Sequence, residues 1–220
     1  MTRRSNSFNL EETDFTSAIF TDKDEYWISD RYNGLLHHDD GFSETIKPSG
    51  PFLSDAVQIK NYRNEIWLAH GAKDENWNPT WLKSEVSVFK SDNWISSNIL
   101  IDQDFIDIVA VNANESSIFL ASWQKGIARM TAGNLDVIYN ETNSSLQKRA
   151  LHDDWINIGD IKFDSEGNMW CTNSQTYNPI SVKYTNGEWA SFSLGSDVTE
   201  SQNVCKLLID KNNQKWVQLK

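Results

Sequence analysis

The stretch Ile161-Lys-Phe-Asp-Ser-Glu-Gly-Asn-Met-Trp-Cys-Thr172 reads as one β-hairpin. Apolar and polar residues alternate in its first half, Asp164 to Asn168 form a polar turn, and the second half opens on the aromatic Trp170. Alternation with a period of two is the pattern of a strand. Asp, Asn and Gly supply the backbone freedom and side-chain acceptors of a tight turn. Four more segments share the shape: Ala18–Ser29, Val57–Ala69, Val109–Ala121 and Leu207–Gln218. Their anchor aromatics, with Trp170, are Trp27, Trp67, Phe119 and Trp216, at successive spacings of 40, 52, 51 and 46 residues.

Outward from each hairpin, a second pair of runs repeats more loosely. Gly34-Leu-Leu36, Gly126-Ile-Ala128 and Ile180-Ser-Val-Lys-Tyr184 open a third run. Tight turns follow at Asp40-Gly41, Ser91-Asp-Asn93, Ala132-Gly-Asn134 and Asn186-Gly187. A fourth run then begins near Phe42, Trp94, Leu135 or Trp189. Four short strands per unit of this length are the signature of a β-propeller blade. No window holds a helical stripe long enough to outweigh the turns. The prediction is an all-β protein, a β-propeller of four-stranded antiparallel blades with about 4.5 blades present. Residues 1–14 read as an N-terminal extension, and the blades are drawn at 15–54, 55–104, 105–155, 156–201 and 202–220. The last of these holds only two strands, which leaves an open edge beside Trp216. That edge is expected to mark a piece of a larger propeller. The alternatives are that residues 1–14 supply the missing strands, or that a second chain does.

Composition narrows the class. The 220 residues carry 20 basic and 31 acidic side chains, a formal charge of −11, which argues against a nucleic-acid binder. At 39% hydrophobic residues the chain can bury a core, yet no apolar run is long enough for a transmembrane helix. Two cysteines exclude a disulfide-built fold and a four-cysteine zinc site. Met1–Glu12 holds two early arginines but no apolar stretch behind them, so it is not a signal peptide as written.

Propeller ligands usually meet the loops rather than the strands. The loops between second and third strands fall at Arg31–Gly34, Gly71–Leu82, Trp123–Gly126 and Ser174–Pro179. The second is long and polar yet contains Trp77 and Trp81, residues suited to stack on sugar rings or anchor a protein partner. The competing expectation is that both rings fold back over the blade. Trp123, Lys125, Arg31 and Tyr177 complete the set of candidate contacts. His37 and His38 are neighbours on one strand and point to opposite faces, so they cannot share an ion. His70 and His152 stand apart from them, and no metal site is assigned. Asp164-Ser-Glu-Gly167 and Asp210-Lys-Asn-Asn213 resemble fragments of calcium loops but serve as hairpin turns without an ion. Cys171 and Cys205 are expected to be free and buried, a disulfide being the alternative in an oxidising compartment. The carboxylate pairs Glu11-Glu12, Asp39-Asp40 and Asp153-Asp154 read as solvated turns. No nucleophile, phosphate-loop or dinucleotide motif occurs, so no catalytic residue and no cofactor is assigned.

The hairpins resemble the two-component-regulator propeller repeat, whose consensus is an apolar run, Asp-x-x-Gly-Asn-apolar-Trp, and a later Gly-Leu. Asp164-Ser-Glu-Gly-Asn-Met-Trp170 matches it best. Over residues 117–220 the chain is more specifically similar to the PorZ-type propeller proteins of Bacteroidetes. Tyr139–Leu146, Trp170–Val182 and Asn186–Phe192 carry that likeness. The resemblance implies a non-catalytic scaffold in the attachment complex of the type IX secretion system, at the periplasm or outer-membrane surface. Its implied partners are the sortase of that complex and an anionic lipopolysaccharide. Two other readings of the repeat are a carbohydrate-sensing propeller of a hybrid two-component regulator, and a propeller glycosidase or polysaccharide lyase.

Overall fold

A computed structural model of the chain describes residues 3–5, 10, 12–47, 49–53, 56–71, 73–82, 86–97, 105–114, 117–150, 154–196, 198–200 and 202–220. Glu11, His152 and Asp153 lie outside the described residues. The chain is all-β, built of antiparallel sheets that follow one another in sequence. Residues Met1–Gly50 and Pro51–Lys220 form two compact units, each taken in turn.

The first unit is one sheet of β1 (Arg3–Ser5), β2 (Phe15–Asp22), β3 (Glu25–Asp30), β4 (Gly34–Asp39) and β5 (Phe42–Ile46), in the order β1-β5-β4-β3-β2. Strands β2 to β5 form a meander of tight hairpins, each strand pairing with the next. Residues 3–5 do not complete the last sheet of the chain; they lie antiparallel on the free side of β5. Cross-strand register sets His37 opposite Trp27 and His38 opposite Tyr26, on the two faces of the sheet. Each ring stacks on its partner, at 3.8 and 4.7 Å between centroids.

His37 is also clamped between two carboxylates, with Nε2 3.1 Å from Glu25 Oε1 and Nδ1 3.1 Å from Glu44 Oε1. A neutral imidazole has one N–H to donate, so two acceptors favour the imidazolium. Glu44 raises the His37 pKa above its ordinary 6.5, burial opposes this, and Glu25 adds to the rise. Glu25 is held below its ordinary 4.5 by a hydrogen bond from Thr21 and by His37.

The second unit holds three complete blades and a hairpin. The strands are β6 (Gln58–Tyr62), β7 (Glu65–Ala69), β8 (Val86–Lys90) and β9 (Asn93–Ser97) in the second sheet. The third sheet has β10 (Ile108–Asn114), β11 (Ser117–Ser122), β12 (Gly126–Thr131) and β13 (Asn134–Tyr139). The fourth has β14 (Asn157–Phe163), β15 (Met169–Ser174), β16 (Ile180–Lys183) and β17 (Trp189–Phe192), and the fifth has β18 (Val204–Ile209) and β19 (Lys215–Leu219). All five anchor aromatics lie on the second strand of their hairpins. The third sheet shows why the blades stack. Ile118 and Leu120 of β11 enter one core with Ala69 and Val86 of the second sheet. Phe119 and Ala121, pointing the other way, enter another with Ile161 and Cys171 of the fourth. A strand apolar on both faces must be covered on both.

The hairpin turns repeat at atomic level. Asp164 Oδ1 accepts the backbone N–H groups of Glu166 and Asn168, and Oδ2 accepts the indole N–H of Trp170 at 2.8 Å. Asp210 does the same for Asn212, Gln214 and Trp216, the indole at 3.0 Å. Both turns need one residue in left-handed backbone, which Gly167 supplies at φ 83° and Asn213 at φ 64°. In both loops the Asp oxygens are taken up by the turn's own donors.

Asp164→Ala is expected to cost about 2 kcal/mol, because buried donors lose a charged acceptor; urea-unfolding midpoints measure it. Burial alone would raise the Asp164 pKa, but the Trp170 and Asn168 donors outweigh it and hold the carboxyl below its ordinary 3.8. Its contribution is therefore present above that value and lost as pH falls through the depressed one. For the first sheet, the His37 contribution is complete below 6.5 and lost as pH rises through the raised value. The Glu25 contribution is complete above 4.5 and lost as pH falls. The clamp is therefore strongest between those two values, and a histidine-resolved NMR titration of Glu44→Gln should show the His37 pKa falling.

Candidate functional site

The long loop after β7 begins with a forced glycine. Gly71 donates its N–H to Ile108 O at 2.7 Å, and a Cβ there would stand 2.0 Å from Ile108 N. The loop then makes the same turn as the hairpins. Asp74 Oδ1 accepts the N–H groups of Asn76 and Asn78 at 2.8 and 2.9 Å, and Trp77 N–H returns to Asp74 O at 3.0 Å. Trp77 occupies the place of Gly167 and Asn213, at φ 69°. A bulky side chain in that region is strained by roughly 1 kcal/mol or more.

The two loop tryptophans part company. Trp77 is half-buried and packs on the core of the third and fourth sheets, its ring 5.5 Å from that of Trp123. Trp81 is 61% exposed, also in left-handed backbone at φ 58°. What holds it there is Asp107, fully buried, which accepts Trp81 N–H at 3.1 Å, Leu82 N–H at 2.9 Å and Thr80 Oγ1 at 2.9 Å. Gln124 Nε2 donates to the same carboxylate at 2.8 Å, tying the β11–β12 turn to the loop. The edge of Trp81 meets Trp155 at 5.8 Å and 77°, and the Arg149 guanidinium lies over Trp155 at 5.2 Å. Burial works against the charge on Arg149.

Trp123 is corrected from a contact residue to a support. It is fully buried, donates its indole N–H to Trp77 O at 3.1 Å, and forms one wall around the Lys73 side chain. Its position at the end of β11 continues the two-faced strand into the core, which the polar neighbours Gln124 and Lys125 conceal in the sequence. Lys125 bridges to Ile156, next to Trp155, and so belongs to the same neighbourhood. Tyr177 is exposed on the β15–β16 turn, whose Gln175 O accepts the N–H of Ala150 beside Arg149. Arg31 lies in the first unit, paired with Asp14 at 3.2 Å with both side chains well exposed. Trp155, Arg149 and Asp107 escaped sequence reading. The available signal was that connections between blades end at the same face as the loops between second and third strands. Both cysteines are free and buried, and burial pushes the Cys171 thiol up to about 12, which leaves it inert.

Blades, turns and loop face together define a β-propeller carrying an aromatic and cationic cluster on its loops. No protein-family model matches the chain, and no curated protein matches it. Among solved structures it is similar to PorZ, an essential surface component of the type IX secretion system of Porphyromonas gingivalis. That likeness is at 19% identity and TM-score 0.66, over 90% of this chain and 28% of that one. It is also similar to virginiamycin B lyase from Staphylococcus aureus, at 12% identity and TM-score 0.54, over 99% of this chain and 67% of that one. At such identities the shared property is the fold.

Asp107→Ala should lower stability by about 3 kcal/mol and release the loop, since several donors lose one charged acceptor. Limited proteolysis within residues 74–82 and a shift of tryptophan emission report the release.

Proposed function

We propose that this chain is a non-catalytic binding and scaffold module of a cell-surface propeller protein. Its partner is a protein of a type IX secretion attachment complex, the sortase above all, with an anionic surface glycan as a second ligand. Its place is the periplasm or the outer-membrane surface. The observation that carries this reading is Trp81, a large exposed ring kept in strained backbone by a buried carboxylate. Folding alone gives no return for that arrangement, whereas a rigid aromatic presented beside Trp155 and Arg149 is the usual make-up of an interface anchor. The likeness to PorZ supports the choice of partner, since that protein is a component of such a system. The chain spans 28% of the PorZ chain, so the module is read as one part of such an assembly.

Surface plasmon resonance of the purified chain against the sortase of the same secretion system tests the reading. Trp81→Ala should weaken binding by roughly tenfold or more, the effect of a hot-spot truncation, with circular dichroism unchanged. Trp216→Ala, exposed on β19, serves as control and should bind as the parent does. Equal binding by the parent and Trp81→Ala would sink the proposal.

A further inference from the structure

Within a chain of formal charge −11, several lysines gather on the first strands of the blades and the loop after β7. The first strands of the blades pack side by side, β10 against β6 and β14, and β14 against β18. Lys60 on β6, Lys162 on β14 and Lys206 on β18 extend from them, and Lys162 lies close enough to Lys60 for its charge to be felt there. An open cleft of about 640 Å³ runs between Gln58, Asp160, Lys162, Lys206, Leu208 and Trp216. The Lys73 ammonium, near enough to Lys206 and Lys220 for their charges to be felt there, sits 3.4 Å from the ring centre of Trp77 and 4.3 Å from that of Trp123. Lys220 approaches the same Trp77 ring at 5.4 Å and donates to Glu75 O at 3.3 Å.

The one carboxylate among the described residues of the cleft is already committed. Asp160 Oδ1 accepts from Lys162 Nζ at 2.9 Å, Gln58 Nε2 at 3.1 Å and Ile161 N–H at 2.9 Å, and Oδ2 accepts Leu207 N–H at 3.2 Å. Among the described residues no carboxylate pairs with Lys73, Lys206 or Lys220. Burial pushes Lys73 down to about 8; the Cys205 thiol opposes this, and Lys206 and Lys220 push further down. Indole faces stabilise such a cation only in part. A ligand with negative charge supplies what the group lacks. Lysines, as compact point charges without the planar fork of arginine, suit a phosphate group approached from several sides.

We propose that the group of Lys73, Lys206 and Lys220, which meets the cleft between the first strands through Lys206, is a binding site for a phosphate-class anion. The group arrives as a monoester on a sugar or as the free ion. A volume of this size admits a sugar phosphate, and Trp216 and Leu208 offer apolar surface to the sugar. The proposal rests on the reading above only for a glycan source of the phosphate; the lysine cluster stands without it.

Titration calorimetry on the whole chain with glucose 1-phosphate, inorganic phosphate and glucose decides it. Both phosphates should saturate one site at low salt and weaken as salt rises from about 50 to about 200 mM, while glucose gives no heat. Tighter binding of the ester assigns the site to glycan-borne phosphate, and equal binding assigns it to the free ion. Lys206→Gln with Lys220→Gln, both exposed positions, should lower affinity roughly tenfold with the circular dichroism unchanged. Lys206→Arg should retain binding, and Trp81→Ala should leave it untouched even where partner binding is lost. Failure of both phosphates to saturate, or parental affinity in the double glutamine variant, overturns the proposal.

Discussion

A strand that is apolar on both faces has no stable place at a surface. In β11 the alternation of Ile118 and Leu120 with Phe119 and Ala121 sends side chains into two cores at once, so the third sheet needs a neighbour on each side. That requirement orders the second unit: the second sheet covers one face and the fourth covers the other. Fully burying a side chain such as Phe119 contributes about 2 kcal/mol or more, and the pattern recurs along β10 and β12. Turns and loops take the positions that this stacking leaves to them.

Stacking alone does not fix the loops. The link is Asp107, buried ahead of β10, which gathers donors from the loop after β7 and from the β11–β12 turn. A single buried carboxylate thus couples the exposed Trp81 to the rigid part of two blades. The same device works locally in the hairpins, where Asp164 and Asp210 hold both their turns and the indoles two residues beyond them. In each case a charged acceptor surrounded by donors replaces water that the packing has removed.

Sequence made the hairpins plain because their causes are local. Asp164, Gly167, Asn168 and Trp170 lie within seven residues and act on one another. Strand order and the two-stranded last sheet followed from the repeat of that unit. The loop face was legible only as a region. Trp77 and Trp81 look alike in sequence, yet one packs inward and the other is held outward by a residue 26 positions away. Beside Gln124 and Lys125, Trp123 reads as a surface residue in sequence, yet its strand commits it to the core. Trp155 and Arg149 carried no local sign of their role, since only the third and fourth blades together bring them under Trp81. The pairing of residues 3–5 with β5 was likewise hidden, because a short edge strand leaves no periodicity to read.

Trp77 stands where the equivalent turns have Gly167 and Asn213, in a backbone region that a tryptophan enters only at a cost. Glycine there would relieve that strain but give up the packing of the ring on the core of the third and fourth sheets. That change would remove one wall from around Lys73 and expose the ammonium to water. The strain of this turn and the cage around the lysine are therefore one feature, and a substitution that relaxes the first dismantles the second.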